Sequence, residues 1–174
     1  MSVVVRRWAP TDIASVRHIT WTTWLATYAS FIPVADMQAF FDEYYTPGML
    51  EPYCSADHAR GFLAEFDAAP AGFAKTALNP DEGRFYLSSL YVLPEYQGQG
   101  IGSRLLRVSE QFALALGLRE VWLGVMLQNV AAVDWYRKLG FRFVREEPFT
   151  MGQTTVLHLI GYRAIPQPSS DEPQ

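Results

Sequence analysis

The chain has 174 residues, of which 49% are hydrophobic and 18% are charged, and its formal net charge is -4. This length and composition favour one globular domain with a single core. The excess of acidic residues offers no positive surface for nucleic acid, and no stretch approaches the roughly 18 consecutive apolar residues of a membrane span. We therefore predict neither nucleic-acid binding nor membrane association.

Cysteine and histidine usage argues against disulfides and metal. Cys54 is the single cysteine, and the N-terminus has no apolar segment of secretory length, so we predict a cytoplasmic protein. The three histidines, His18, His58 and His158, are scattered and do not form H-E-x-x-H or paired Cys/His spacing. No metal site is predicted.

The first quarter of the sequence predicts a strand followed by two helices. Val3–Trp8 is a short β-rich run. Apolar residues then recur at helical spacing from about 13 to 30, and again after Pro33. Pro47 and Gly48 are expected to end the second helix.

Three strands in series follow. The segments 61–66 and 71–78 have strand composition, and the turn residues 67–70 between them predict a hairpin. A second turn at 79–83 leads into a third strand that runs to Leu93. Short connections of this kind predict an antiparallel meander.

A glycine-rich segment comes directly after the third strand of the meander. Residues 97–103 read Gln-Gly-Gln-Gly-Ile-Gly-Ser and open a helix that ends at Gly117. Glycine lets the backbone approach an anion closely, and the first N–H groups of a helix are unpaired donors at the positive end of its dipole. The segment therefore predicts a phosphate-binding loop; the alternative is a tight turn at a helix start, which needs only one glycine.

Two better-known phosphate loops do not fit these residues. A Walker A loop needs Lys and then Ser or Thr after its last glycine, and no lysine follows Gly102. A dinucleotide fingerprint needs G-x-G-x-x-G, whereas Gly98, Gly100 and Gly102 are spaced as G-x-G-x-G. Glu120, the acid near the offset expected for ribose binding, opens a strand instead of ending one.

The remaining sequence predicts a strand at Val121–Leu127, a helix at Val130–Leu139 and a closing hairpin of strands 141–149 and 154–162. A strand, crossover helix and strand in one sheet form a right-handed parallel unit. The third meander strand and the Val121 strand are therefore expected to lie parallel, with ligands at their carboxyl ends. Residues 165–174 have the proline, serine and acid composition of a disordered tail.

The pattern Gln97-x-x-Gly100-x-Gly102 resembles the Q/R-x-x-G-x-G/A loop of the GCN5-related N-acetyltransferases. The predicted order β-α-α-β-β-β-α-β-α-β-β also resembles that family, over about residues 3–162. The resemblance implies an α/β (α+β) fold: one N-acetyltransferase domain over residues 1–164, with a mixed central sheet of about seven strands. A splayed pair of parallel strands would form its cofactor groove.

The resemblance implies acetyl-CoA as co-substrate. The backbone of residues 97–103 would hold its pyrophosphate, and the strand backbone at Leu90 and Val92 would contact the pantetheine arm and stabilise the thioester carbonyl oxygen. The implied cofactor-binding residues are Leu90, Tyr91, Val92, Gln97, Gly98, Gln99, Gly100, Ile101, Gly102, Ser103, Asn129 and Tyr136.

Tyr136 is the implied catalytic residue. In the family the tyrosine at this position protonates the departing CoA thiolate, and the asparagine at the Asn129 position meets the pantetheine. The spacing of the two residues corresponds to two helical turns, which puts both on one face of the helix. A phenol with a pKa of about 10 can supply a proton to a thiolate with a pKa of about 8 to 9. The alternative is a core tyrosine packed against Phe141.

The acceptor amine must also lose a proton, since an alkylamine with a pKa of about 10 is almost fully charged at pH 7. The glutamate that family members often carry on the strand before the loop is absent from residues 86–89. Ser88 or Ser89, acting through a water molecule, is expected in its place.

Acceptor recognition is expected from the first two helices, with Trp24, Tyr28 and Ser88 as substrate-binding residues. The aromatic side chains, with acidic residues as an anionic rim, would suit a polyamine or another small amine. The full set for this aromatic wall and rim is Trp21, Trp24, Tyr28, Phe31, Asp36, Asp42 and Glu43. The alternative is that the aromatic residues are core and the acids a solvated face.

The predicted function is direct acetyl transfer to a primary amine of a small molecule. Acetylation of a protein N-terminus or lysine, and an acyl-CoA-binding module without catalysis, remain alternatives. The family resemblance also allows a homodimer.

Overall fold

A mixed seven-stranded sheet in the order β1-β2-β3-β4-β5-β7-β6 organises residues 1–167, the part of the chain that this computed structural model describes. The strands are β1 (Val3–Arg7), β2 (Ala59–Phe66), β3 (Ala69–Asn79), β4 (Arg84–Val92), β5 (Glu120–Met126), β6 (Arg142–Met151) and β7 (Thr154–Ala164). The α-helices are α1 (Ile13–Tyr28), α2 (Val34–Tyr44), α3 (Pro47–Leu50), α4 (Pro52–Ser55), α5 (Ile101–Ala115) and α6 (Val130–Lys138). The predicted fold class and element order are confirmed, with the two short helices α3 and α4 as additions.

The strands β4 and β5 form the one parallel pair of the described sheet, and they are in register at a single position. Tyr86 is paired with Trp122, and no further pair follows towards the carboxyl ends. By contrast, β5 and β7 are paired continuously from Glu120 to Met126. The carboxyl-terminal halves of β4 and β5 therefore diverge, which confirms the predicted splay and opens a gap in the middle of the sheet.

Each face of the sheet has its own hydrophobic core. The period-2 alternation of β3 assigns Phe73 to the core under α1 and α2, and Ala74 to the core under α5 and α6. Leu105 and Phe112 of α5 fill the second core, and Trp24 of α1 is buried in the first. The gap between β4 and β5 thus lies between two packed layers of helices.

The turn between β2 and β3 is shorter than expected. It consists of Asp67 and Ala68 alone, both with left-handed φ angles of 48° and 67°, and β3 begins at Ala69. Two left-handed residues match the twist of the flanking strands, which is why two-residue hairpin turns take this form. The last two residues of the predicted turn 67–70 therefore belong to β3.

The chain remains attached to the domain just past the predicted boundary at residue 164. Ile165 is buried, and its N–H donates to the carbonyl oxygen of Arg119 at 2.9 Å. From residue 168 onwards, the predicted disordered tail lies outside the described residues. Between residues 1 and 167 no helix combines the length and the apolar character needed to cross a membrane.

Arg163 of β7 joins the two helices on the α5/α6 face. Its Nε donates to the Glu110 carboxylate of α5 at 2.7 Å, and its Nη1 donates to the Leu139 carbonyl oxygen at the end of α6 at 2.6 Å. The two charged side chains are only 14% and 8% exposed. Each charge is therefore compensated mainly by the other, and the pair holds α5 and α6 in place against the sheet.

Replacing Arg163 by Met is expected to lower the free energy of unfolding by about 3–5 kcal/mol, because it leaves the buried Glu110 carboxylate without a partner. The double variant R163M/E110L, which removes both charges, is expected to recover most of this loss. Urea unfolding followed by tryptophan fluorescence measures both variants. A single variant as stable as the wild type would show that the pair does not compensate a buried charge.

Candidate active site

The glycine-rich segment lines a cavity of about 610 Å³, here termed the loop cavity. Gly98 and Gly100 have φ angles of 77° and 75°, and a Cβ atom on either would have nothing within 4 Å. Glycine is therefore favoured at these two positions by the left-handed backbone conformation, and not because a neighbouring protein atom excludes a Cβ atom. Gly100 is the N-cap of α5, and no side chain caps that helix, so the first N–H groups of α5 are available to an anion.

Two contacts hold this segment against its neighbours. The Nε2 atom of Gln97 donates to the carbonyl oxygen of Val92 at 3.1 Å. A Cβ atom on Gly102 would approach the Trp135 ring of α6 to 3.3 Å, so the third glycine permits close packing of α5 on α6. Within the described part of the chain, no charged side chain lines the loop cavity. An anion there would be held by backbone N–H groups and neutral side-chain donors such as the Ser103 hydroxyl.

The predicted cofactor-binding residues are almost all brought together here. Eleven of the twelve line the loop cavity, namely Leu90, Tyr91, Val92, Gln97, Gly98, Gly100, Ile101, Gly102, Ser103, Asn129 and Tyr136. The exception is Gln99, whose side chain is exposed outside that lining.

A second cavity of about 270 Å³ lies between the sheet and the α1/α2 layer, and it is termed the aromatic cavity. The aromatic residues that line it are Trp24, Tyr28, Phe40, Tyr44, Tyr45, Tyr91, Tyr136 and Phe149. The Trp24 ring contacts those of Tyr45 and Tyr91, with centroid distances of 5.2 and 6.5 Å. The wall is therefore formed by rings that pack on one another before any ligand binds.

The two cavities meet at the gap between β4 and β5. Both are lined by Thr27, Leu90, Tyr91, Asn129, Ala132 and Tyr136. An extended ligand can therefore lie with one end at the start of α5 and the other beside the aromatic cavity.

Tyr136 lies at this junction. Its ring packs on Phe141 at a centroid distance of 5.3 Å, so the core contact considered as an alternative is present. The same side chain also lines both cavities. Burial raises the pKa of the Tyr136 hydroxyl above its ordinary value of 10, so the group keeps its proton at physiological pH. Tyr136 is therefore a buried residue that can donate a proton into the junction.

Asn129 precedes α6 instead of lying within it. It is the N-cap, and its Oδ1 atom accepts a hydrogen bond from the Ala132 N–H at 3.3 Å. The cap fixes the orientation of the Asn129 amide beside the gap. It also sets the first residue of α6 and therefore the position of Tyr136.

The serines of β4 have different surroundings because the strand bulges between them. Lys75 of β3 pairs with Ser89, and the next residue, Thr76, pairs with Leu87, which leaves Ser88 unpaired. Both serines line the aromatic cavity, but Ser88 is exposed, whereas Ser89 is buried with its hydroxyl 3.0 Å from that of Tyr45. Of the two predicted bases, Ser88 is the one open to a ligand or a water molecule.

The predicted anionic rim is wrong. Asp36 accepts hydrogen bonds from the Gln153 N–H at 3.0 Å and from the Thr154 hydroxyl at 2.6 Å, so it joins α2 to the β6–β7 turn. Neither Asp36, Asp42 nor Glu43 lines the aromatic cavity. The helical twist of α2 directs the rings Phe40 and Tyr44 to the cavity and these acids elsewhere.

The predicted aromatic wall is formed in part. Trp24 and Tyr28 line the aromatic cavity, as expected of substrate-binding residues. Trp21 instead packs on Phe41 at 5.3 Å, and Phe31 packs on Tyr28 at 5.8 Å, both against the core of the α1/α2 layer. The core alternative therefore applies to Trp21 and Phe31.

Lys75 is a cavity residue that the sequence did not identify. Its Nζ lies 4.7 Å from the ring centroid of Tyr45 and 5.2 Å from that of Tyr53. Burial lowers the pKa of the Lys75 ammonium to about 8. The strand pattern could have identified Lys75, because residues two apart in a strand share a face and β3 alternation therefore places Lys75 on the same buried face as Phe73.

His158 of β7 is the other unforeseen polar residue of the aromatic cavity. Its ring stacks on Phe149 with centroids 4.2 Å apart, and its Nε2 is buried without a hydrogen-bond partner. Burial lowers the pKa of His158 to about 4, so the imidazole is neutral at physiological pH. It can accept or donate one hydrogen bond but brings no charge.

Comparisons with known proteins agree with this geometry. The model of the Acetyltransferase (GNAT) family matches residues 14–141. An uncharacterized N-acetyltransferase of Mycobacterium bovis is 33% identical over 125 residues, which are 71% of this chain and 73% of that protein. A thialysine N-epsilon-acetyltransferase of Sus scrofa is 44% identical over 61 residues, which span only 36% of that enzyme and 35% of this chain.

Among solved structures, the PaiA N-acetyltransferase from Thermoplasma acidophilum in complex with coenzyme A superposes with a TM-score of 0.81. The alignment covers 95% of this chain and 100% of that one at 22% sequence identity, so it supports the fold. The family match, the Mycobacterium relative and the splayed β4–β5 pair with its glycine loop lead to one conclusion: the chain belongs to the Acetyltransferase (GNAT) family.

Proposed function

We propose that this protein is an N-acetyltransferase that uses acetyl-CoA and transfers the acetyl group directly to a primary amine of a small molecule. The observation that carries the proposal is the junction of the loop cavity and the aromatic cavity at the β4–β5 gap, with Tyr136 at the junction. Two substrates could meet there, one from each cavity.

The residues of the loop cavity fit the donor. The uncapped start of α5 offers N–H groups to a pyrophosphate without any basic side chain. Beyond Tyr86, the edge of β4 that faces β5 has no strand partner, so the main-chain groups of Leu90 and the N–H of Val92 could bond an extended, peptide-like arm, while the Val92 carbonyl oxygen already accepts from Gln97. Acetyl-CoA would supply the activated acyl group.

Tyr136 would complete the reaction. As the amine nitrogen forms its bond to the thioester carbonyl carbon, the C–S bond breaks and sulfur leaves as a thiolate. The Tyr136 hydroxyl donates its proton to that sulfur, and the proton that the attacking nitrogen loses as the amide forms restores the Tyr136 hydroxyl. A β4 N–H at the gap stabilises the carbonyl oxygen as charge develops on it. Ser88, at the bulge, would relay the proton of the acceptor ammonium to water.

The size of the aromatic cavity supports a small-molecule acceptor. Its volume of about 270 Å³ is at the lower end for small-ligand sites, and α2 is fastened over it by Asp36. A protein N-terminus or lysine would need an open groove for the flanking chain.

The homodimer and the cytoplasmic location expected from the sequence remain predictions.

Acetyl-CoA at about 100 times its Kd is expected to stabilise the protein by about 2.7 kcal/mol and to raise Tm by roughly 5–10 °C, since it binds the folded state alone. Gly100→Ala is expected to weaken this binding about tenfold or more, because the new Cβ enters the space that an anion would occupy. Differential scanning fluorimetry and calorimetry measure the two effects.

Gly83→Ala is the matched control for Gly100→Ala. Gly83 also has a left-handed φ, 63°, with nothing within 4 Å of an added Cβ, but it lies in the β3–β4 turn. Both variants should lose about 1 kcal/mol of stability, and Gly83→Ala should keep the wild-type Kd. An equal Kd in the two variants would place the donor away from α5.

Tyr136→Phe is expected to reduce kcat on the order of 10²-fold while the Kd for acetyl-CoA is unchanged, because only the donated proton is lost. Tyr162→Phe is the control, since Tyr162 stacks on Trp122 at 4.6 Å and lines neither cavity. Steady-state kinetics with a panel of amines measures both. An unchanged kcat would remove Tyr136 from the mechanism, and a wild type that binds acetyl-CoA but acetylates no amine would favour a binding module.

A further inference from the structure

The aromatic cavity contains one cationic side chain and no acidic one. Among residues 1–167, the side chains that line it include Lys75 but neither Asp nor Glu. Lys75 takes part in none of the ion pairs formed in this part of the chain. The Lys75 ammonium is therefore held beside an enclosed space without a protein counter-charge.

The Lys75 ammonium contacts two aromatic rings. Its Nζ lies over the rings of Tyr45 and Tyr53, and its cross-strand neighbours are Gly61 and Ser89. Two π faces stabilise a cation to a limited degree, but a buried charge without a hydrogen-bonded partner remains unfavourable. Residues 1–167 provide no carboxylate partner for Lys75, so that role is open to a ligand.

Lys75 is also close to the reacting position of the proposed function. It pairs with Ser89, which is one residue from the bulged Ser88 on the strand that borders the gap. Neighbouring strands lie about 4.8 Å apart, so the base of the Lys75 side chain is one strand from the gap where the amine would attack. Lys75 and Ser88 line the same aromatic cavity, so a group bound to the ammonium would share that cavity with the amine.

We propose that Lys75 binds a carboxylate of the acceptor, so that the substrate is an amino acid or a related amine with a carboxylate near its reacting nitrogen. This inference rests on the proposed acetyltransferase function. It replaces the polyamine expected from the acidic residues of α2, because a polyamine would bring a second cation to a site that already holds one and has no anion.

The choice of basic residue fits this role. Of the chain's basic residues only Lys75 and Lys138 are lysines, and the others are arginines. A lysine ammonium is a compact point charge that fits between two rings, whereas a guanidinium is a wide planar fork. Burial alone lowers the pKa of Lys75 to about 8, with no acidic group raising it, which agrees with a site that lacks its anion.

The first test compares matched acceptors that differ only in the carboxylate: L-phenylalanine with phenethylamine, L-methionine with 3-(methylthio)propylamine, L-lysine with 1,5-diaminopentane, and β-alanine with ethylamine. In at least one pair, the wild type is expected to favour the carboxylate member at least about tenfold in kcat/KM. Lys75→Met should abolish this preference by raising KM for the carboxylate member of the pair. Lys138→Met, at an exposed position of α6, should behave as the wild type.

The second test does not need turnover. Calorimetry in the presence of CoA measures binding of N-acetyl-L-phenylalanine and N-acetylphenethylamine to the wild type, Lys75→Met and Lys138→Met. The carboxylate compound should bind at least about tenfold more tightly, except to Lys75→Met. That variant should fold with an unchanged or higher Tm, since it removes an unpaired buried charge.

The binding of N-acetyl-L-phenylalanine should also depend on pH in a defined way. The ligand carboxylate is ionised throughout, and protonated Lys75 is the binding form, so affinity is constant below pH 8 and falls as the pH rises above 8. The other titratable groups that face Lys75 or line the cavity do not change charge near pH 8. Burial raises the pKa values of Tyr28, Tyr45, Tyr53, Tyr91 and Tyr136 above 10, a hydrogen bond with Glu43 raises the pKa of Tyr44, and burial lowers the pKa of His158 to about 4. In Lys75→Met the affinity should not vary with pH.

Two results would overturn the inference: no preference for the carboxylate member in either assay, or a preference that persists in Lys75→Met. Failure of the proposed function looks different. In that case no amine is acetylated, while N-acetyl-L-phenylalanine still binds more tightly than its neutral counterpart and does so through Lys75.

Discussion

The single pairing of Tyr86 with Trp122 is the constraint on which the rest of this structure depends. A parallel sheet normally continues its ladder along both strands, and here the ladder stops after one position. Since β5 remains fully paired with β7 on its other side, the divergence leaves an opening inside the sheet and not at its edge. The groups with a proposed role in donor binding and catalysis lie along that opening or at one end of it.

Local patterns in the sequence predicted much of this arrangement. The glycine spacing at 97–103, the hydrophobic periodicity of α5 and α6 and the meander of β2 to β4 are short-range features, and each was recovered with small shifts at the ends. The turn at Asp67 and Ala68 was misjudged because alanine rarely adopts a left-handed conformation, whereas Pro70 is common in turns. In the structure Pro70 lies in β3, paired with Glu65 at an irregularity in the ladder.

The acceptor side could not be predicted in the same way, because it depends on contacts between distant segments. The acids of α2 were expected to form a binding rim, but Asp36 instead accepts hydrogen bonds from the β6–β7 turn. Lys75 could be assigned to a buried face by alternation, yet only the fold shows that its ammonium contacts Tyr45 and Tyr53 and that no acid of residues 1–167 lines the cavity beside it. His158 likewise gains its cavity position from β7 lying beside β5. Sequence periodicity predicts which residues share one face of a helix or strand, but the contacts of that face depend on the tertiary fold.

The contact between Gly102 and Trp135 has a consequence for how the two ends of the donor site are spaced. Gly102 belongs to the first turn of α5, where an anion would bind, and Trp135 precedes Tyr136, with the two rings 5.0 Å apart. Because the backbone of α5 lies directly on the indole, the start of one helix and the tyrosine of the other form one rigid unit. In the proposed function, this unit would set the length of an extended thioester ligand whose sulfur reaches the Tyr136 hydroxyl while its phosphates stay at α5. A side chain at position 102 would change that length without touching any reacting atom.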